Sequence, residues 1–213
     1  MEHIQEAQFK RMTTAPIPGL ITSLAIPAVI SMLVTALYNG ADTYFVSQLG
    51  TSAAGAVGIV FSLMAIIQAV GFTVGQGAGS IISRKLGEKD HEAANVTGAG
   101  AMLLAAVFGV LVTACGLIFI DPLMGILGAT DTMLPYARDY AQYILIASPV
   151  MAGSFVLNNT LRAEGKTRFA MIGIAVGGLL NIGLDPLFIF TFGMGTAGAA
   201  IATVGGQMLA MVI

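Results

Sequence analysis

Residues 169–213 read FAMIGIAVGGLLNIGLDPLFIFTFGMGTAGAAIATVGGQMLAMVI, and the one charged residue in that stretch is Asp185. A helix crosses the ~30 Å hydrocarbon core of a bilayer with about 20 apolar residues, each adding about 1.5 Å. The stretch therefore holds two crossings, divided by the turn residues Gly193, Met194 and Gly195. The same texture recurs upstream. No charge stands in 51–83, 93–120 or 140–161, and 20–50 contains only Asp42. Six spans follow, at about 20–46, 53–83, 95–120, 140–161, 169–190 and 196–213. Strands of a membrane barrel would show alternation over about ten residues, and no segment here alternates over that length. The expected fold is all-α and integral to the membrane, with 1–19 as a cytoplasmic segment and 20–213 as one six-helix unit.

Composition agrees. Hydrophobic residues make up 56% and charged residues 9%, against roughly 25% charged in a soluble domain. Mean hydropathy is +0.88. The 27 glycines show no collagen period and suit helices that approach closely in lipid. A net charge of −2 offers no basic face, so nucleic acid is excluded as a partner. The single cysteine, Cys115, and the isolated histidines His3 and His91 give neither a disulfide framework nor a thiolate metal site.

The breaks 47–52, 84–90, 121–131, 164–168 and 193–195 read as loops. With the N-terminus cytoplasmic, Lys10, Arg11, Arg84, Lys85, Lys89, Arg162, Lys166 and Arg168 fall inside and only Arg138 outside. That asymmetry sets the expected orientation in the cell membrane. The polar, acidic start and the late first apolar run argue against a cleaved signal peptide. The last span ends on apolar residues without a flank, which reads as a sequence cut within or at the end of a helix.

Carboxylates at membrane depth are costly, by at least ~2.5–3.5 kcal/mol on insertion scales, so they mark candidate sites. Asp42, Asp185 and Thr203 each lie a few residues from the outer end of their spans, which puts all three about 6–11 Å below the outer boundary. Asn181 precedes Asp185 by four residues and shares its helix face. Pro186 cannot donate to the carbonyl of Ile182. Two carboxylates, an amide, a hydroxyl and a spare carbonyl are hard oxygen ligands suited to a proton or Na⁺. The competing reading makes Asp42 and Asp185 mere caps of frayed helix ends. Tyr38 and Asn39 divide between packing and substrate contact, as do Asn158, Asn159 and, less strongly, Gln68 and Gln76. Gly71, Gly75 and Gly79, like Gly173 and Gly177, repeat every four residues and read as helix-contact faces.

Enzyme signatures fail. Gly165-Lys166-Thr167 lacks the earlier glycine and the strand of a phosphate loop, and Gly75-Gln76-Gly77-Ala78-Gly79 has no βαβ unit around it. Ile182-Gly183-Leu184-Asp185 is not the Gly-x-Gly-Asp of an intramembrane aspartyl protease. No enzymatic activity and no cofactor are expected.

Ile26-Pro27-Ala28, Tyr38 through Val46 (YNGADTYFV), Leu49-Gly50, Gly75 through Ser80 (GQGAGS), Arg84 through Gly87 (RKLG), Leu161 through Gly165 (LRAEG) and Asn181 through Ile189 (NIGLDPLFI) together resemble the multidrug and toxic compound extrusion (MATE) family. The resemblance runs from about Ile17 to the end and is nearest to bacterial drug exporters, a type that includes staphylococcal multidrug pumps. It implies the N-terminal six-helix lobe of a 6+6 transporter, with a C-terminal six-helix lobe as partner. It also implies H⁺- or Na⁺-coupled antiport of small amphipathic, often cationic compounds through an acidic cavity. The family's cation site maps onto Asp42, Asn181, Asp185 and Thr203, and its helix-one kink onto Pro27. Two alternatives stand beside this reading. One is a lipid-linked precursor flippase of the same superfamily, which would line its cavity with arginines. The other is a non-transporting six-helix subunit.

Overall fold

The computed structural model describes Thr14 and residues 16–213. Most of the expected cytoplasmic segment 1–19, with Lys10, Arg11 and His3, lies outside the described residues. Six helices are long and apolar enough to cross a membrane, and the chain is a multi-pass membrane protein. The helices are α1 (Ile17–Ser47), α2 (Thr51–Gly87), α3 (His91–Ile118), the short α4 (Ile120–Ile126), α5 (Leu134–Ala163), α6 (Thr167–Pro186) and α7 (Gly195–Val212). A π-helical turn, Leu187–Thr191, extends α6 beyond Pro186. The six spans stand where the charge-free runs place them. The expected loop 121–131 needs correction, because its first half coils into α4. There Asp121 sits in the first turn, and its carboxylate takes an ion pair from Arg138 of α5 at 3.5 Å.

Helix α5 is the hub and packs against α2, α3 and α7. Its Tyr140, Ile144, Leu145 and Met151 are fully buried against Val57, Val60, Leu63 and Ile67 of α2. Close approach follows from the glycines. A Cβ at Gly75 would strike Asn159 and Val156 of α5, and one at Gly71 would strike Phe155. On the other side, Gly177 of α6 lies against the backbone of Gly206 on α7, so any side chain there would collide with a carbonyl. Both glycine repeats are helix-contact faces, as the spacing suggests.

Helix α5 carries Pro149 in its interior without losing helical form. A proline has no N–H for the carbonyl four residues back, which is that of Leu145. Thr113 of α3 supplies the missing donor, its Oγ1 lying 2.6 Å from that oxygen, while Ser148 Oγ donates to the Gly109 carbonyl at 2.8 Å. A buried carbonyl left without a donor costs about 1–3 kcal/mol, so this pair of hydroxyls steadies the helix at Pro149. Around Pro27 in α1 the bonds are local instead. Ser31 Oγ reaches the Pro27 carbonyl at 2.8 Å and Thr35 reaches Ser31 at 2.9 Å, all within one helix. Of the 31 residues of α1, only Pro27, Ser31, Asp42 and Val46 are buried. Its neighbour is chiefly α6.

Candidate functional site

The structure buries all four residues expected in one layer, and hydrogen bonds join three of them, Asn181, Asp185 and Thr203. Asp42 arrives from α1, Asn181 and Asp185 from one face of α6, and Thr203 from α7; all four are buried. Asn181 Nδ2 lies 3.3 Å from Asp185 Oδ1 and 3.3 Å from Thr203 Oγ1, tying the two helices together. Asp42 is reached from the opposite side, where the Tyr140 hydroxyl donates to its Oδ2 at 3.3 Å.

Three oxygens in this cluster have no hydrogen-bond partner: Asp42 Oδ1, Asp185 Oδ2 and Asn181 Oδ1. A buried unpaired acceptor is expensive, and a buried unpaired carboxylate more so. Among the described residues no arginine or lysine pairs with these acids, since every ion pair there lies elsewhere, at the loop ends. The arrangement is short of positive charge in a place shaped by oxygen atoms. A bare cation or a proton is the chemistry that satisfies it. No group of three or more His, Cys, Asp or Glu occurs among the described residues, which leaves no transition-metal type of site there.

Beneath this layer lies a cavity of about 670 Å³ walled by α1, α2, α5, α6 and α7. Tyr38, Asn39, Gln68, Asn158 and Asn159 all line it, and so does Gln76. Asn158 Nδ2 also bonds to the Ala170 carbonyl of α6 at 3.3 Å, whereas Asn159 Nδ2 turns back to Phe155 of its own helix at 2.8 Å. Pro27 lies outside this wall, buried low on α1. The expectation of an acidic cavity is corrected. Asp42 and Asp185 do not line it; Asn181 and Thr203 do, with the carboxylates set behind them.

Four features of the site were not read from the sequence. Tyr140 opens a charge-free run, which suggests a residue at the interface, yet α5 begins at Leu134 and carries it inward to full burial. Arg162 reads as a cytoplasmic flank, but it recurs four positions after Asn158 and seven after Phe155, on the cavity face. Gln207 of α7 lines the wall, its Oε1 accepting from Ser154 Oγ at 3.3 Å. Phe72 and Phe155 pair across α2 and α5 with ring centroids 5.4 Å apart.

A family model described as MatE matches residues 27–187. The chain is 33% identical over 204 residues to a protein of Shewanella oneidensis named FAD transporter. It is 29% identical over 201 residues to the multidrug export protein MepA of Staphylococcus aureus. Each match takes in 94% of this chain and 45% of the relative. Among solved structures, a MOP superfamily transporter from Pyrococcus furiosus superposes with a TM-score of 0.85 at 36% identity, over 91% of this chain and 43% of that one. The chain thus spans a little under half the length of the proteins it matches.

Proposed function

This chain belongs to the MatE family and has the architecture of one six-helix lobe, and from that premise we propose that it serves ion-coupled export of amphipathic organic compounds across the cell membrane. The observation that carries the proposal is shared membership. Asn181 and Thr203 belong both to the carboxylate cluster and to the cavity wall. A Na⁺ ion or proton taken up by Asp42, Asp185 and Asn181 draws on the same amide and hydroxyl that a bound substrate meets. Each ligand then alters the affinity of the other, and this is how two fluxes become linked. Tyr38 and Asn39 lie one turn from Asp42 on α1, which carries any movement of that carboxylate into the wall. Alternating access works by one half moving against another around a central site, so the proposal includes a second six-helix lobe as partner. The relatives named FAD transporter and multidrug export protein support small organic cargo.

The test is transport in proteoliposomes by the full-length transporter, this lobe together with its second six-helix lobe, with ethidium as a planar cation and 1-naphthyl phosphate as a planar anion. Flux of at least one probe is expected to rise when a Na⁺ or proton gradient is imposed in the opposite direction. Flux of both that ignores every gradient would refute ion coupling.

The proposal also fixes orientation from the Lys and Arg asymmetry. Starting from Cys115→Ser, a cysteine placed at Gly50 or Met194 is expected to react with an impermeant maleimide on intact cells. One placed at Lys89 or Lys166 should react only after permeabilisation. Labelling at Lys89 from outside would reverse the orientation.

A further inference from the structure

Arg162 is the one charged side chain among the described residues that line the cavity. It is half-buried, its Nε is buried with no hydrogen-bond partner, and no described ion pair uses its guanidinium. Nor is it held by the nearest acid in sequence, since Glu164 pairs with Lys166 at 2.6 Å. The buried aspartates cannot neutralise it either. Tyr140, which touches Asp42, and Arg162 are twenty-two residues apart on α5, roughly 33 Å at the helical rise.

The neighbours of Arg162 on the wall are amides and rings. Asn158, Asn159 and Gln76 surround the same end of the cavity, and the Phe72–Phe155 pair lies two turns along α5 from Arg162. A guanidinium offers a planar fork of donors matched to the paired oxygens of phosphate, sulfonate or carboxylate. Each amide adds a further N–H. The rings offer an apolar face to whatever is attached to that anion.

We propose that the inner end of the cavity is an anion seat, in which Arg162 binds the negatively charged head of an amphipathic substrate whose apolar body lies against Phe72 and Phe155. The seat deepens the export reading by naming the substrate class, and it rests on that reading for its physiological sense. It does not depend on ion coupling for its test. The body is a soluble aromatic molecule or the chain of a lipid phosphate; both present the same head to Arg162.

The experiment is equilibrium binding to the purified protein at neutral pH without any gradient. It uses four probes: 1-naphthyl phosphate, 1-naphthol, farnesyl phosphate and farnesol. Arg162→Gln is expected to weaken at least one phosphate probe about tenfold and to leave its uncharged partner within twofold. Arg162→Lys should restore part of the loss, since charge is kept and the fork is not. If naphthyl phosphate shows the loss, the seat takes aromatic anions; if farnesyl phosphate shows the greater loss, it takes lipid phosphates. Equal affinities of both phosphates for the native protein and Arg162→Gln would overturn the proposal, as would equal weakening of charged and uncharged probes in both variants. Gradient-independent flux in proteoliposomes would refute the export mechanism and leave this binding result standing.

Discussion

Asp185→Asn in the full-length, two-lobe transporter is expected to cut gradient-driven export at least tenfold in proteoliposomes while membrane insertion and abundance stay near normal. The substitution keeps the shape of the side chain and an oxygen able to accept from Asn181 Nδ2, now at 3.3 Å. What it removes is the negative charge at an oxygen that has no partner. Interactions with a charged group are worth about 1.5–3 kcal/mol, which corresponds to a ten- to hundredfold fall in ion affinity. Taking an uncompensated charge out of lipid-embedded protein does not harm folding. The two readings of this residue thus diverge in one assay. A helix-end cap would lose abundance and retain transport per molecule. A coupling carboxylate loses transport and retains abundance.

The second large effect is one of packing. Gly177→Ala should destabilise the protein by about 1–3 kcal/mol and weaken Na⁺ or proton binding as well. An added methyl group there meets the Gly206 carbonyl of α7 and Ala210, and a backbone oxygen cannot swing aside. The helices must separate. One turn further along, Asn181 bridges α6 to Thr203 at 3.3 Å, already near the limit of a hydrogen bond, so the bridge breaks. Gly183→Ala is the control on the same helix, because nothing lies within 4 Å of its added carbon. It should be neutral or slightly stabilising through loss of unfolded-state freedom. Thermal unfolding in detergent, with and without the coupling ion, measures both. A Gly177→Ala protein as stable and as ion-responsive as the native one would show that α6 and α7 yield at this contact.

The spans were legible because charge is the strongest signal a membrane chain carries, and loops must hold it. The ion cluster was legible for the same reason. Asp42 and Asp185 are conspicuous in apolar surroundings, and helical rise converts position into depth. Periodicity tells which residues share a face but not which lie behind others on it. Asn181 and Asp185 share a face, yet only Asn181 reaches the cavity wall, and the acidic lining expected from sequence failed on that point. Arg162 was hidden by a one-dimensional habit. A basic residue at a span end is read as a topological flank, and only the three-dimensional course of α5 turns it towards Phe155 and Asn158. Tyr140 was obscured by its charged neighbours Arg138 and Asp139, which ride on the outermost turns of a helix longer than the apolar run. The seven-residue α4, carrying Pro122, is too short for any period to show.

The two helices that carry an internal proline are held differently. In α5 hydroxyls across the α3–α5 seam rivet the chain at Pro149. Helix α1 is buried at Pro27, Ser31, Asp42 and Val46, and between these Val34 and Tyr38 rest against Gly178 of α6. Fifteen residues separate Pro27 from Asp42, a lever arm of about 22 Å. A change of about 10° at Pro27 would carry the carboxylate roughly 4 Å, more than a hydrogen-bond length. On the export reading proposed above, a small change of angle at Pro27 would suffice to make or break the contact between Asp42 and Tyr140.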